Sequence, residues 1–202
     1  NLLIGEKDPA GVYQWVTYSQ IATRINNLRA GLASLGLKAG EAAGIIANNR
    51  KDWLVGEIAT QGLGAAWVPM YEKELLATWK YIIKDAAVKI LLVSKPEIYE
   101  KIKDFPKEIP TLKHIFIIDG TGDNTMAALE KKGEKASVPS IHPKPSDIAV
   151  LIYTSGTTGE PKGVLLTHGN LSSNVEAGAA WFTNLSETSR SISMLPWAHS
   201  FG

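Results

Sequence analysis

The chain has 202 residues, 45% of them hydrophobic, which is enough to bury one or two modest cores. Its 21 Lys and Arg against 20 Asp and Glu leave a net charge of +1, without the basic excess of a nucleic-acid binder. Cysteine is absent, which excludes disulfides, thiol catalysis and cysteine metal sites, and no apolar run approaches the roughly 18 residues of a membrane span.

Thr17 with Gln20 three positions on has the form of a capping box. Ile21, Ile25, Leu28, Leu32 and Leu35 then recur at helical spacing until Gly36 supplies a stop. A short buried strand is predicted at 43–47, a helix from about Lys51 to Gln61, and a strand at 66–68 closed by Pro69. A helix from about Glu74 to Lys84 leads to a strand at 88–93, and Pro96 opens a helix ending near Phe105-Pro106. Residues 114–118 form the next apolar strand and 126–132 a short helix. Residues 131–146, rich in Lys, Pro and Ser, read as an exposed connector. The remaining elements are strands at 148–153 and 164–167, a helix from about Gly169 to Trp181, and a strand at 191–195.

Strands that alternate with helices and read as continuous apolar runs indicate an α/β fold. The expected architecture is a doubly wound, mostly parallel sheet flanked by helices on both faces.

Between the strands at 148–153 and 164–167 lies the most chemical stretch of the chain, Tyr153-Thr154-Ser155-Gly156-Thr157-Thr158-Gly159-Glu160-Pro161-Lys162-Gly163. A strand emptying into such a loop presents backbone N–H groups, hydroxyls and an ammonium to one point, as the oxygens of a polyphosphate require. Glycines there let the backbone approach the ligand closely. Counting from Gly156, a Walker A loop would need glycine at 161, where Pro161 stands, and Ser or Thr where Gly163 follows Lys162. A dinucleotide fingerprint fails as well, because Gly62-Leu63-Gly64 is followed by Trp67 at the third glycine position. A nucleophile elbow would need glycine in place of Tyr153. The loop is a phosphate cradle of another type.

Tyr153 to Gly163 resembles the signature loop of the adenylate-forming superfamily, which includes acyl-CoA synthetases, luciferases and peptide-synthetase adenylation domains. Met194-Leu195-Pro196-Trp197-Ala198-His199-Ser200-Phe201-Gly202 is similar to the next motif of that family, at the expected distance downstream. Thr17-Tyr18-Ser19, Asn48-Asn49-Arg50-Lys51-Asp52-Trp53 and Gly64-Ala65-Ala66-Trp67-Val68-Pro69-Met70-Tyr71 are similar to its opening region. Ala-Thr-Gln-Gly-Leu-Gly at 59–64 leans toward the long-chain fatty acyl-CoA ligases.

The resemblance implies ATP-dependent activation of a fatty acid as acyl-AMP, followed by thioester formation with coenzyme A. ATP, Mg²⁺ and coenzyme A are the implied cofactors and co-substrates. Thr154, Ser155, Thr157, Thr158 and Lys162 are the candidate phosphate donors, with Gly156 and Gly159 giving backbone access. The implied role of His199 is to orient the acyl carboxylate against the α-phosphate. Trp197 and Phe201 are candidate lining residues of the acyl channel, though each reads as readily as ordinary core. No metal ligand is assigned, since the family's magnesium-binding glutamate, ribose aspartate and catalytic lysine lie beyond Gly202. The chain, without an initiator Met and ending inside a motif, is expected to be an incomplete N-terminal AMP-binding domain of the adenylate-forming fold. Residues near 40–185 would form one subdomain, and 1–37 and 190–202 pieces of a second. Its expected location is the cytoplasm or the cytosolic face of a membrane, with peripheral membrane contact open.

Other features have plainer readings. His168 begins a helix, and His114 and His142 show no metal-ligand spacing. Thr121-Gly122-Asp123 reads as a turn, and the sequons at Asn170 and Asn184 as chance. The competing functions are a different adenylate former, such as a fatty acyl-AMP ligase, an aryl-acid ligase or a carrier-protein adenylation domain, and a non-catalytic nucleotide-binding relative.

Overall fold

The computed structural model describes residues 1–154, 160–182, 184, 186 and 188–198. Its first element escaped the sequence pattern: β1 (Leu2–Lys7) and β2 (Tyr13–Thr17) form an antiparallel hairpin. The Asp8 carboxylate closes its turn by accepting from the N–H groups of Ala10 and Val12 at 3.0 and 2.9 Å. The hairpin carries Tyr13 and Trp15 on an exposed surface, so no apolar run advertises it.

Thr17 ends β2 and caps α1 (Tyr18–Ser34) with the predicted capping box. The Gln20 N–H donates to Thr17 Oγ1 at 3.2 Å, and the Thr17 N–H donates to Gln20 Oε1 at 2.8 Å. Then follow β3 (Ala42–Ile46), α2 (Lys51–Gln61), β4 (Ala66–Met70), α3 (Leu76–Asp85), β5 (Val88–Val93) and α4 (Pro96–Ile102). The helix expected to run on to Phe105 stops at Ile102, and Pro106 sits in the first turn of a separate α5 (Phe105–Glu108). β6 (His114–Ile117), α6 (Met126–Gly133), β7 (Ile148–Thr154), β8 (Lys162–Thr167) and α7 (His168–Trp181) complete the order.

Six of these strands form one sheet in the order β6-β5-β3-β4-β7-β8, parallel except for β8, which runs antiparallel to β7. The period-two alternation of each strand splits the core in two. Ala43, Ile45, Trp67, Ile90, Leu92 and Ala149 face α1, α2 and α6. Ile46, Val68, Met70, Leu91, Val93 and Ile115 face α3, α4 and α5. The sheet is doubly wound, as its apolar runs predicted.

Two expected boundaries shift. β4 runs through Pro69 to Met70, beyond the stop read from sequence. It pairs with β3 along its whole length but meets β7 at Trp67↔Val150 alone, so Pro69 lies where the strand has little second neighbour to bond. Residues 191–195, expected to be a strand, form none: among the described residues no strand pairs with them, and Ile192 and Met194 stand about four-fifths exposed at 79% and 82%. A run that could be extended still needs a partner before it can form a ladder.

α1 lies against α6 and α2, and its Ile21, Leu28 and Leu32 enter the same core as β3 and β4. Backbones meet closely there. A Cβ on Gly31 would fall 2.5 Å from the Leu129 carbonyl oxygen, and one on Gly133 would overlap the Asn27 carbonyl oxygen. The connector after α6 is pinned to the body. Arg29 Nε donates to the Val138 carbonyl at 2.9 Å, and the Ile141 N–H to that of Gly62 at 2.9 Å.

Candidate active site

β7 is buried or half-buried as far as Tyr153, runs parallel to β4, and its carboxyl end opens into the hydroxyl-rich loop. β8 returns directly beside it, in register Thr154↔Lys162 and Tyr153↔Gly163. The hairpin thus brings the first hydroxyl and the lysine of the candidate cradle to opposite sides of its mouth, both exposed. Ser155, Gly156, Thr157, Thr158 and Gly159 lie outside the described residues, as do His199 and Phe201. A hydroxyl and an ammonium on either side of a loop fit phosphate oxygens in kind.

Tyr153 anchors the hairpin. Its hydroxyl donates to Asp85 Oδ2 in α3 at 2.6 Å, and its ring meets Tyr81 edge-on at 6.5 Å. Burial, and then the Asp85 carboxylate, push the Tyr153 phenol well above its ordinary range, so it stays a donor. The ring also lies over Gly163, where a Cβ would come within 3.1 Å of it. On the far side of β8, Thr167 caps α7 in a second capping box with Asn170, and His168 is the first residue of that helix. Thr121-Gly122-Asp123 lies in the turn between β6 and α6.

The carboxyl end of β3 lies two strand spacings from that of β7, about 10 Å away along the same sheet edge. The loop that leaves it, Asn48-Asn49-Arg50, is held by charge. Arg50 forks onto both Asp119 oxygens at 2.8 and 2.6 Å and reaches Asp52 at 2.8 Å. Asp52 also accepts from Arg24 at 2.7 Å, and Arg24 in turn binds Glu130. Burial alone would raise the Asp52 carboxyl, but Arg24 and Arg50 hold it below the usual carboxylate range. Asp52 is the most buried member, and removing it would leave Arg24 and Arg50 with one carboxylate each.

This loop grips the second motif. Asn49 bonds the backbone at Leu195 and Trp197, and the Trp197 ring meets Trp53 of α2 edge-on at 5.4 Å. Trp53 meets Trp67 of β4 in the same manner at 5.7 Å. Trp197 is half-buried against the core, and Ala198 is fully buried. Sequence reasoning had left Asn49 inside a resemblance without a role.

A different candidate stands elsewhere. An open cavity of about 960 Å³ lies at the amino ends of the strands, lined by Gly40, Ala66, Lys89, Lys113, Asp147 and Leu165. It is at the opposite sheet edge from the Thr154–Lys162 hairpin mouth. Among the described residues no three His, Asp or Glu side chains gather to hold a metal ion.

A family model described as AMP-binding enzyme matches residues 4–202, nearly the whole chain. The chain belongs to the AMP-binding enzyme family. Among similar proteins, this member of the family is 32% identical to human long-chain-fatty-acid–CoA ligase 6, over 98% of its own length and 31% of that protein's. It is 32% identical to the peroxisomal long chain acyl-CoA synthetase 7 of Arabidopsis thaliana, over 95% of its length and 29% of that protein's. It therefore spans about three-tenths of these relatives. Among solved structures it superposes on a long-chain-fatty-acid–CoA ligase from Archaeoglobus fulgidus with a TM-score of 0.82 at 25% identity, covering 96% of this chain and 38% of that one. ATP-bound MatB from Rhodopseudomonas palustris matches with a TM-score of 0.70 at 26% identity, covering 87% and 34%. The doubly wound sheet is that of the adenylate-forming N-terminal domain.

Proposed function

We propose that the chain is the N-terminal part of a long-chain fatty acid–CoA ligase. It would contribute to forming acyl-AMP from a fatty acid and ATP, with release of pyrophosphate, before the acyl group passes to coenzyme A. The observation that carries this reading is the β7–β8 hairpin, which sets Thr154 and Lys162 across the mouth of a loop whose wording is that of the adenylate formers. The relatives' names supply the substrate class.

The chemistry asked of these residues is charge management. A carboxylate must approach an α-phosphate that already bears negative charge, and the departing pyrophosphate gathers more. Fixed donors absorb that charge without reorganising as it develops. Lys162 supplies a point charge, and Thr154 with the hydroxyls of Ser155, Thr157 and Thr158 supplies hydrogen bonds. Gly156 and Gly159 let backbone N–H groups close on the oxygens. Mg²⁺ would screen the triphosphate when bound. His199 would orient the carboxylate for in-line attack, with Trp197 and Phe201 beside the acyl chain. The work is assigned to the cytoplasm or a membrane's cytosolic face. No described helix is long and apolar enough to cross a membrane, and peripheral contact stays compatible with that.

The deciding experiment is ATP–pyrophosphate exchange by the full-length protein. A long-chain fatty acid is expected to stimulate exchange, and Lys162→Ala to cut it at least about a hundredfold. No exchange with any fatty acid would overturn the reading. The likeness to the adenylation–carrier didomain of a carboxylic acid reductase, with a TM-score of 0.73, keeps a carrier-protein acceptor as the second reading. Thioester formation on coenzyme A rather than on a carrier thiol separates the two.

A further inference from the structure

We propose that Asn49 is a positioning residue for the segment that leads to His199, its side-chain amide serving as a strand partner for the backbone of Leu195 and Trp197. The functional half of this inference rests on the role proposed above for His199.

Residues 191–198 have no neighbouring strand among the described residues, so no ladder orders their backbone. Asn49 supplies both kinds of partner. Its Nδ2 donates to the Leu195 carbonyl at 2.7 Å, while the Trp197 N–H donates to its Oδ1 at 2.7 Å. A carbonyl and an N–H two residues apart are the pair that a neighbouring strand would otherwise satisfy. Asparagine matches them because one short amide carries one acceptor and one donor group side by side. Aspartate would keep the acceptor and set a second oxygen against the Leu195 carbonyl. Alanine would keep neither.

The clamp is useful only if its base is rigid, and the surroundings make it so. Asn49 stands between β3 and α2, flanked on one side by the Asn48 N–H, which donates to Glu72 at 3.1 Å. On the other side, Arg50 is locked to Asp52 and Asp119. The held segment is braced once within itself and once more against the body. The Trp197 indole N–H donates to Ser193 Oγ at 2.6 Å, and the ring packs edge-on against Trp53. The backbone two residues before His199 is thereby tied to the carboxyl edge of the sheet that also launches the Thr154–Lys162 loop. A reacting group two residues further along the chain would need its supports placed to within a fraction of an ångström.

The test compares wild type, Asn49→Ala and Asn49→Asp. Hydrogen exchange at the Trp197 amide is measured on the 202-residue chain and on the full-length protein, and ATP–pyrophosphate exchange kinetics on the latter. In Asn49→Ala the Trp197 amide is expected to exchange about tenfold faster or more, since its bond is gone. The kcat for exchange is expected to fall about 10- to 100-fold, with the KM for ATP within about twofold of wild type. Asn49→Asp is expected to fall between the two on both readouts. Unchanged Trp197 exchange in Asn49→Ala would overturn the clamp. Faster amide exchange with an unchanged kcat would overturn the positioning role and leave Asn49 a stabilising contact only. A wild type whose Trp197 amide is protected by Asn49 but which performs no exchange would sink the proposed function, and the positioning role with it.

Discussion

Glu57 is the residue whose behaviour its neighbours in sequence least foretell. It lies in α2 with Gln61 one turn on, whose amide donates to it at 3.1 Å, and no cation is paired with it among the described residues. Burial pushes its carboxyl up to about 7 from an ordinary value of 4.5, and the Gln61 bond opposes this only in part. Between those two values the folded state holds a proton that the unfolded chain has released. Its contribution is fully present below pH 4.5 and is lost as pH rises through about 7. Wild type is therefore expected to lose on the order of 3 kcal/mol from this group between pH 4.5 and pH 8. Glu57→Gln should flatten that slope, and urea denaturation across the pH range measures it. Asp52, only a few residues away on the same helix, behaves oppositely because Arg24 and Arg50 meet its charge. In sequence both are single carboxylates in one helix, and only their partners separate them.

At the scale of elements, the α1–α6 contact is the most demanding. Gly31 and Gly133 let the two helices approach until backbone meets backbone. Gly133→Ala would set a methyl group into the Asn27 carbonyl, which neither helix can relieve by turning a side chain. Overpacking of this kind costs about 1–3 kcal/mol, enough to lower the melting temperature by several degrees in a chain of this size. Thermal unfolding of Gly133→Ala checks this, and an unchanged midpoint would show that the helices part freely. The elements themselves were largely legible. The capping box at Thr17, the apolar runs at β3, β5 and β6, and the stop at Gly36 are local signals read by local rules. The β1–β2 hairpin was missed because Tyr13 and Trp15 face solvent. Residues 191–195 were overread because a short stretch of sequence says nothing about a partner.

At the scale of the molecule, β8 and α7 form an unfinished flank. Val164 and Leu165 on β8 are exposed, Trp181 is 86% exposed, and none of the residues of α7 is buried. An apolar flank of this kind needs covering. The proposed function implies that the rest of the polypeptide covers it and brings the groups that adenylation lacks here. The 202-residue chain alone is therefore expected to show no ATP–pyrophosphate exchange. Measurable exchange by it would mean that the loop and its hairpin suffice.

By itself the amino-acid sequence determined the α/β alternation, the two-faced burial of the parallel strands and the wording of the loop after β7. Periodicity and turn chemistry act over a few residues, so they can be read along the chain. Only the tertiary structure decided that Asn49 meets Trp197, 148 positions away, that Tyr153 meets Asp85, and that five charges from Arg24 to Glu130 form one connected set. Periodicity tells which face of an element turns inward. The residue waiting there depends on how the sheet is wound, because parallel crossovers bring distant segments to one edge.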